Sequence, residues 1–231
     1  MRQSLLALVV ALWLVACAAP ERAAPISTLP QPPSQRLQHH WVAAGETLYA
    51  IAWRYGLDYR ELARINGLRE PYRLQRNTKL WLSAAAAPAA ATGHTAVVKA
   101  APPTPAVLAE RVYNQQWQWP ASGRIEQGFS PTDHHQGLSL AGAPGRAVKP
   151  AAAGVVVYAG AGLRGYGKLI IVKHNELLLS AYAHNAVLEV AEGAVVNAAT
   201  VLAKAGDSGR VYFEIRRDGK PIDPLDFLPV R

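Results

Sequence analysis

Apolar residues change their spacing along this chain, and the changes divide it into parts. Leu48, Ile51, Ala52 and Tyr55 fall at i, i+3, i+4 and i+7, the spacing of one helix face. Gly56 suits the C′ position that ends such a helix. Asp58 then offers an N-cap, and Glu61 three residues on completes a capping-box pattern. Leu57 and Leu62 occupy the N′ and N4 positions of a hydrophobic staple. Asn66-Gly67 closes this second helix. Trp41-Val42 before the helices and the alternation of Leu80 and Leu82 after them read as strands. The predicted unit is therefore βααβ, over residues 39–83.

Past residue 116 the helical period disappears. Gly154-Val155-Val156-Val157-Tyr158 and Lys168-Leu169-Ile170-Ile171-Val172-Lys173-His174 read as strands, as do residues 177–183 and 210–216. Glycine turns separate them, and Asp218-Gly219 is a hairpin signal. Residues 117–231 are predicted to be an antiparallel all-β unit. Residues 84–116, rich in Ala, Pro and Thr, keep no period. Proline breaks any alanine helix there, so this stretch is a linker. The fold class is thus α+β and multidomain.

The N-terminus bears on compartment. The apolar run over residues 5–15 is too short to span a bilayer and suits a signal peptide. It ends in Leu14-Val15-Ala16-Cys17, which resembles a bacterial lipobox. Cleavage after residue 16 would leave Cys17 acylated, a stable lipid anchor. An ordinary signal peptide with an incidental Cys is the alternative. Cys17 is the chain's one cysteine, so no intramolecular disulfide can form. Ala18, where an inner-membrane retention signal has Asp, points to the outer membrane, with the protein facing the periplasm. The Pro-rich stretch 17–38 then serves as a tether. The net charge of +8 suits anionic cell-wall polymer, lipid headgroups or an acidic partner. Nucleic acid is not an expected partner of an exported protein. A solvated basic surface that aids solubility is the alternative.

The first unit resembles a LysM domain. The resemblance rests on residues 42–52, on the helix running into Asn66-Gly67-Leu68, and on Leu80-Trp81-Leu82. It implies binding to the N-acetylglucosamine-containing glycan strands of peptidoglycan in a shallow groove. Carried over, the groove positions are Gly45, Glu46, Thr47, Leu48 and Tyr49, with Asn66, Gly67, Leu68, Tyr72 and Arg73. Core packing is the alternative for Leu48 and Tyr49. Arg76-Asn77-Thr78-Lys79 departs from the Pro-Gly-Gln turn usual in the family.

The second unit resembles the lysostaphin/LytM-type zinc peptidases, and among these the NlpD class of murein hydrolase activators. The resemblance is carried by Trp119-Pro120-Ala121-Ser122-Gly123, His135-Gln136-Gly137-Leu138-Ser139, residues 162–171, Tyr182-Ala183-His184, Tyr212-Phe213-Glu214-Ile215 and residues 224–229. The order lipobox, LysM, linker, LytM is itself the arrangement of that class. Active members hold zinc with His-x-x-x-Asp and the second His of His-x-His. Here His135 matches the first ligand, Ser139 stands for the Asp and Tyr212 for the ligand His. Arg210 replaces one catalytic His, and His184 matches the other. A neutral hydroxyl is a poor zinc ligand, and Arg210 sets a fixed positive charge where a dication would sit. The expectation is a degenerate domain with no metal, no cofactor and no catalytic residues. The turn Gly206-Asp207-Ser208-Gly209 also runs directly into Arg210, which shortens a loop at the site's border.

What the resemblance implies is a non-catalytic activator of a periplasmic N-acetylmuramoyl-L-alanine amidase in septal cell-wall splitting, acting by displacing an inhibitory element from the amidase. His135, Ser139, Arg164, Tyr166, His184, Arg210 and Tyr212 are the expected partner-groove residues. For Tyr212 a core role is the alternative, its neighbours Val211 and Phe213 pointing to the other face. Two further readings stay open: a zinc endopeptidase with substitute ligands, and a structural lipoprotein tying membrane to wall.

Overall fold

The structure, a computed structural model, describes residues 37–87 and 116–231. The expected signal peptide, Cys17 and nearly all of both linkers lie outside the described residues. In the first unit, strand β1 (His39–Trp41) pairs antiparallel with β2 (Lys79–Trp81), and helices α1 (Leu48–Tyr55) and α2 (Tyr59–Ile65) lie between them in sequence. Thr47 caps α1 by accepting the Ala50 N–H at 3.1 Å, and Gly56 closes it in the left-handed conformation. Asp58 caps α2 by accepting the Arg60 N–H. The expected reciprocal half of the capping box is not formed. The Glu61 carboxylate turns instead to Arg64, at 2.6 and 2.7 Å, because an i, i+3 cation on the same face competes for it.

Leu48, Ile51 and Ala52 are buried as the helical spacing requires, whereas Tyr55 is only half-buried. Ala50 and Trp53, off that face, are buried too. Helix α1 is therefore apolar nearly all round, the mark of a helix covered on two sides. The second cover is the other unit.

That unit is a ten-stranded antiparallel sheet. It comprises β3 (Arg124–Gln127), β4 (Leu138–Ala141), β5 (Ala147–Val148), β6 (Gly154–Gly160), β7 (Lys168–Lys173), β8 (Leu178–Leu188), β9 (Val195–Val196), β10 (Ala203–Ala205), β11 (Val211–Arg217) and β12 (Lys220–Ile222). Its main path runs β3-β4-β11-β8-β7-β6-β9, and β10 and β12 pair with β8 and β11. The β11–β12 hairpin turns through Asp218 and Gly219 with φ of 51° and 76°, both positive as a two-residue primed turn needs. At the β7–β8 turn the Asn175 carboxamide oxygen accepts the N–H groups of Leu177 and Leu178.

Strand alternation sorts the two faces. Val211, Phe213 and Ile215 of β11 point into one core with Leu138, Leu140, Ile170 and Tyr182. Tyr212 points the other way, into a cluster that also holds Tyr158, Tyr166, Leu169 and Ile171 of the sheet and Leu48, Ile51, Trp53 and Leu62 of the first unit. The two units thus share one hydrophobic core across this face. No helix among the described residues is long and apolar enough to cross a membrane.

Candidate functional site

The positions matched to the zinc site come together because β11 lies between β4 and β8. In register, Tyr212 is opposite Ser139 on one side and Ala183, the neighbour of His184, on the other. Gly137 lets β4 approach closely, since a Cβ there would meet the Phe213 carbonyl oxygen at 2.3 Å. His135 sits just before β4, held by paired backbone bonds with Ser130. Its Nδ1–H donates to the Gly128 carbonyl at 2.7 Å, which leaves Nε2 to accept the Ser139 hydroxyl at 3.2 Å. The Tyr212 ring stands edge-on to His135 at 5.6 Å and lies 6.4 Å from the His184 ring.

These residues do not fit a zinc ion. A catalytic zinc site needs three protein ligands and an open position. The free lone pair of His135 is already bound by Ser139. The Tyr212 hydroxyl donates to Glu214 Oε2 at 2.9 Å. Burial, reinforced by the Glu214 charge, pushes that phenol well above its ordinary pKa, so it supplies no phenolate. Burial, and then Arg210, lower the His184 pKa; the residue adopts a left-handed φ of 64°. Arg210 itself pairs with Glu126 at 2.6 Å. Among the described residues no group of three His, Cys, Asp or Glu side chains converges as a metal would require.

The expected open groove is corrected in part. His135, Ser139, Tyr166 and Tyr212 are 4%, 7%, 3% and 1% exposed and line no open surface. For Tyr166 and Tyr212 the cause is the first unit, whose helix α1 packs into the same hydrophobic cluster. Arg164 and Arg210 are exposed and His184 is half-buried, so these three remain accessible at the rim.

Beneath α1 lies a charged pair to which sequence reasoning assigned no role. Glu214 Oε1 accepts Arg216 Nε at 2.6 Å, and both side chains are essentially buried. Arg216 also donates to the Trp53 carbonyl at 2.6 Å and to Gln136 at 3.2 Å. Burial works against its charge, but Glu214 alongside more than offsets this and its pKa is raised. Tyr166 adds a hydroxyl 3.4 Å from Glu214 Oε2. The available signal was parity: Glu214 and Arg216 share the strand face of Tyr212.

The expected glycan positions divide as well. Glu46, Thr47, Tyr49, Tyr72 and Arg73 border a cleft. Leu48 reaches its edge but is wholly buried, a core residue. Gly45, Asn66, Gly67 and Leu68 lie outside the cleft lining. The Asn66 carboxamide is committed to the backbone of Leu62 and Trp81, at 2.7–2.8 Å, where it ties α2 to β2. Leu68 packs on the core.

Comparison with known proteins bears on this arrangement. The LysM domain profile matches residues 40–83 and that of Peptidase family M23 matches residues 133–224. A "Lipoprotein NlpD/LppB homolog" of Pseudomonas aeruginosa is 37% identical, over 82% of this chain and 76% of its own length. This chain belongs to the NlpD/LppB lipoprotein family. The "Murein hydrolase activator NlpD" of Escherichia coli K12 is 31% identical, over 82% of this chain and 67% of its own. A solved putative peptidase M23 from Pseudomonas aeruginosa is 28% identical, over 49% of this chain and 50% of that one, with a TM-score of 0.45. This NlpD/LppB family member thus combines a LysM unit with an M23-type sheet whose zinc-ligand positions are hydrogen-bonded into the interior.

Proposed function

We propose that this protein is a non-catalytic activator of a periplasmic N-acetylmuramoyl-L-alanine amidase, acting in septal cell-wall splitting. It is held to the outer membrane through acylated Cys17 and to peptidoglycan through its LysM unit. The observation that carries the reading is the state of the M23-type site. His135 is satisfied by Ser139 and Gly128, and Tyr212 by Glu214, so the strands persist while the ligand set is internally consumed. Such a scaffold is suited to binding a partner segment without a reaction. The name of the Escherichia coli relative, a murein hydrolase activator, supports the same reading.

The partner surface is the rim that stays accessible, Arg164, His184 and Arg210. It is cationic, and the positive φ at His184 holds that side chain in an uncommon direction, as binding sites often do. The amidase brings its own zinc. Contact at this rim shifts the amidase from its inhibited to its open state by binding the latter better. The test combines purified protein, an amidase and intact sacculi. Stimulated release of peptides from glycan, with no release by this protein alone, supports the reading. Cleavage of peptide cross-links by this protein alone opposes it.

A further inference from the structure

The cleft bordered by the LysM positions has a second wall that belongs to the sheet. Its volume is about 520 Å³, within the range of ligand sites and ample for a sugar unit. Tyr49, Tyr72 and Arg73 lie on one side, and Val155, Lys173 and Glu192 on the other. We infer that this cleft is a composite saccharide site, in which a peptidoglycan amino-sugar chain held by the LysM unit also contacts β6, β7 and the turn before β9. The inference rests on the LysM reading of glycan binding and adds the second wall to it.

The walls are fixed relative to one another. The Thr47 hydroxyl donates to the Val157 carbonyl at 3.2 Å, beside the cleft. The Tyr59 hydroxyl donates to Glu176 at 2.9 Å, and Lys173 bridges to Glu70 at 3.6 Å and to Glu176 at 2.7 Å. Together with the Trp53–Arg216 contact these bonds span the junction at several separate points. A ligand entering between the walls meets a preformed space, with little ordering left to complete.

The chemistry matches a pyranose. Sugar rings present C–H faces, which pack on aromatic and aliphatic surfaces, and a polar rim. Tyr49 and Tyr72, their rings 6.0 Å apart and edge-on, supply an aromatic wall. Val155, near the start of β6, is 39% exposed, an apolar side chain left uncovered opposite them. Arg73 places a cation at the same opening, while the Lys173 ammonium is held by Glu176 and Glu70. The Glu192 carboxylate on the sheet wall and Glu70 on the LysM wall supply acceptors for the hydroxyls and amides of a sugar.

The test measures binding of the full-length protein to solubilised, uncrosslinked glycan fragments of peptidoglycan and to chitotetraose, by calorimetry. Val155→Glu and Glu192→Ala alter the sheet wall, Tyr72→Ala alters the LysM wall, and melting curves confirm that each variant folds. Weakening of about fivefold or more by all three supports the composite site. Weakening by Tyr72→Ala with both sheet variants unchanged, or binding tighter, overturns the composite site and leaves the LysM reading intact. No glycan binding by the unaltered protein, or none that Tyr72→Ala affects, removes the LysM reading and this inference with it.

Discussion

The guanidinium of Arg216 lies 3.9 Å from the centre of the Trp53 ring and donates a hydrogen bond to the carbonyl of the same residue. This one contact joins the last long strand of the M23-type sheet to the first helix of the LysM unit. Glu214 links it to Tyr212, accepting from both side chains, so the M23-type site and the LysM unit share one buried network. The consequence is a site whose scaffold is tied to a neighbouring domain through buried charged and aromatic contacts.

Truncating Arg216 leaves Glu214 buried and without its cation. Arg216→Leu is expected to lower stability by about 3–5 kcal/mol, read by urea unfolding. The pair Glu214→Leu with Arg216→Leu recovers part of that loss, because an apolar pair has no charge to desolvate. A single variant as stable as the unaltered protein would show that the network contributes nothing.

Arg210 and Glu126 form an exposed pair, and such pairs contribute little. Arg210→Ala is expected to change stability by no more than about 1 kcal/mol, while reducing stimulation of the amidase. Measured together, the two values separate partner contact from folding. Unaltered stimulation would remove Arg210 from the rim that binds the partner.

Stability should fall on acidification through two partly buried histidines. Burial lowers the His174 pKa from 6.5 to about 4, its Nδ1–H donating to Ala153 and its Nε2 lying 2.7 Å from Ser180. His184 is shifted in the same direction. Between pH 6.5 and 4 the unfolded chain binds a proton at His174 that the folded chain does not. The contribution is therefore complete above pH 6.5 and is lost as the pH falls towards 4. It amounts to at most about 3 kcal/mol, since the ring keeps some contact with solvent. His174→Gln should flatten the pH dependence of the urea midpoint in that window; an unchanged slope would assign the effect elsewhere.

After dialysis against zinc-containing buffer and desalting, elemental analysis is expected to find zinc far below one equivalent. Nε2 of His135 and the hydroxyl of Tyr212 are both engaged internally. One equivalent of tightly held metal would mean that these bonds open to form a ligand set.

Much of this architecture was legible in the sequence. The spacing of Leu48, Ile51 and Ala52, the caps at Asp58 and Gly56, and the turn at Asp218-Gly219 are local signals, and each set the element it predicted. The opposite facing of Tyr212 and Phe213 follows from the period of a strand and was equally readable. What local pattern could not carry was the covering of one element by a distant one. Trp53 lies off the apolar face of α1, and only the docked sheet explains its burial. The same docking turned Tyr166 and Tyr212 from expected groove residues into core. Asn66 matched a family glycan position, yet its carboxamide completes the backbone bonds of Trp81, a partner fifteen residues away that spacing alone does not disclose.

The most direct measurement is release of peptide from purified sacculi by a periplasmic N-acetylmuramoyl-L-alanine amidase, with and without this protein in its full-length form. The account predicts that the amidase alone is slow, that this protein alone releases nothing, and that together they release peptide many times faster. Release by this protein alone, or no acceleration of any candidate amidase, would contradict it.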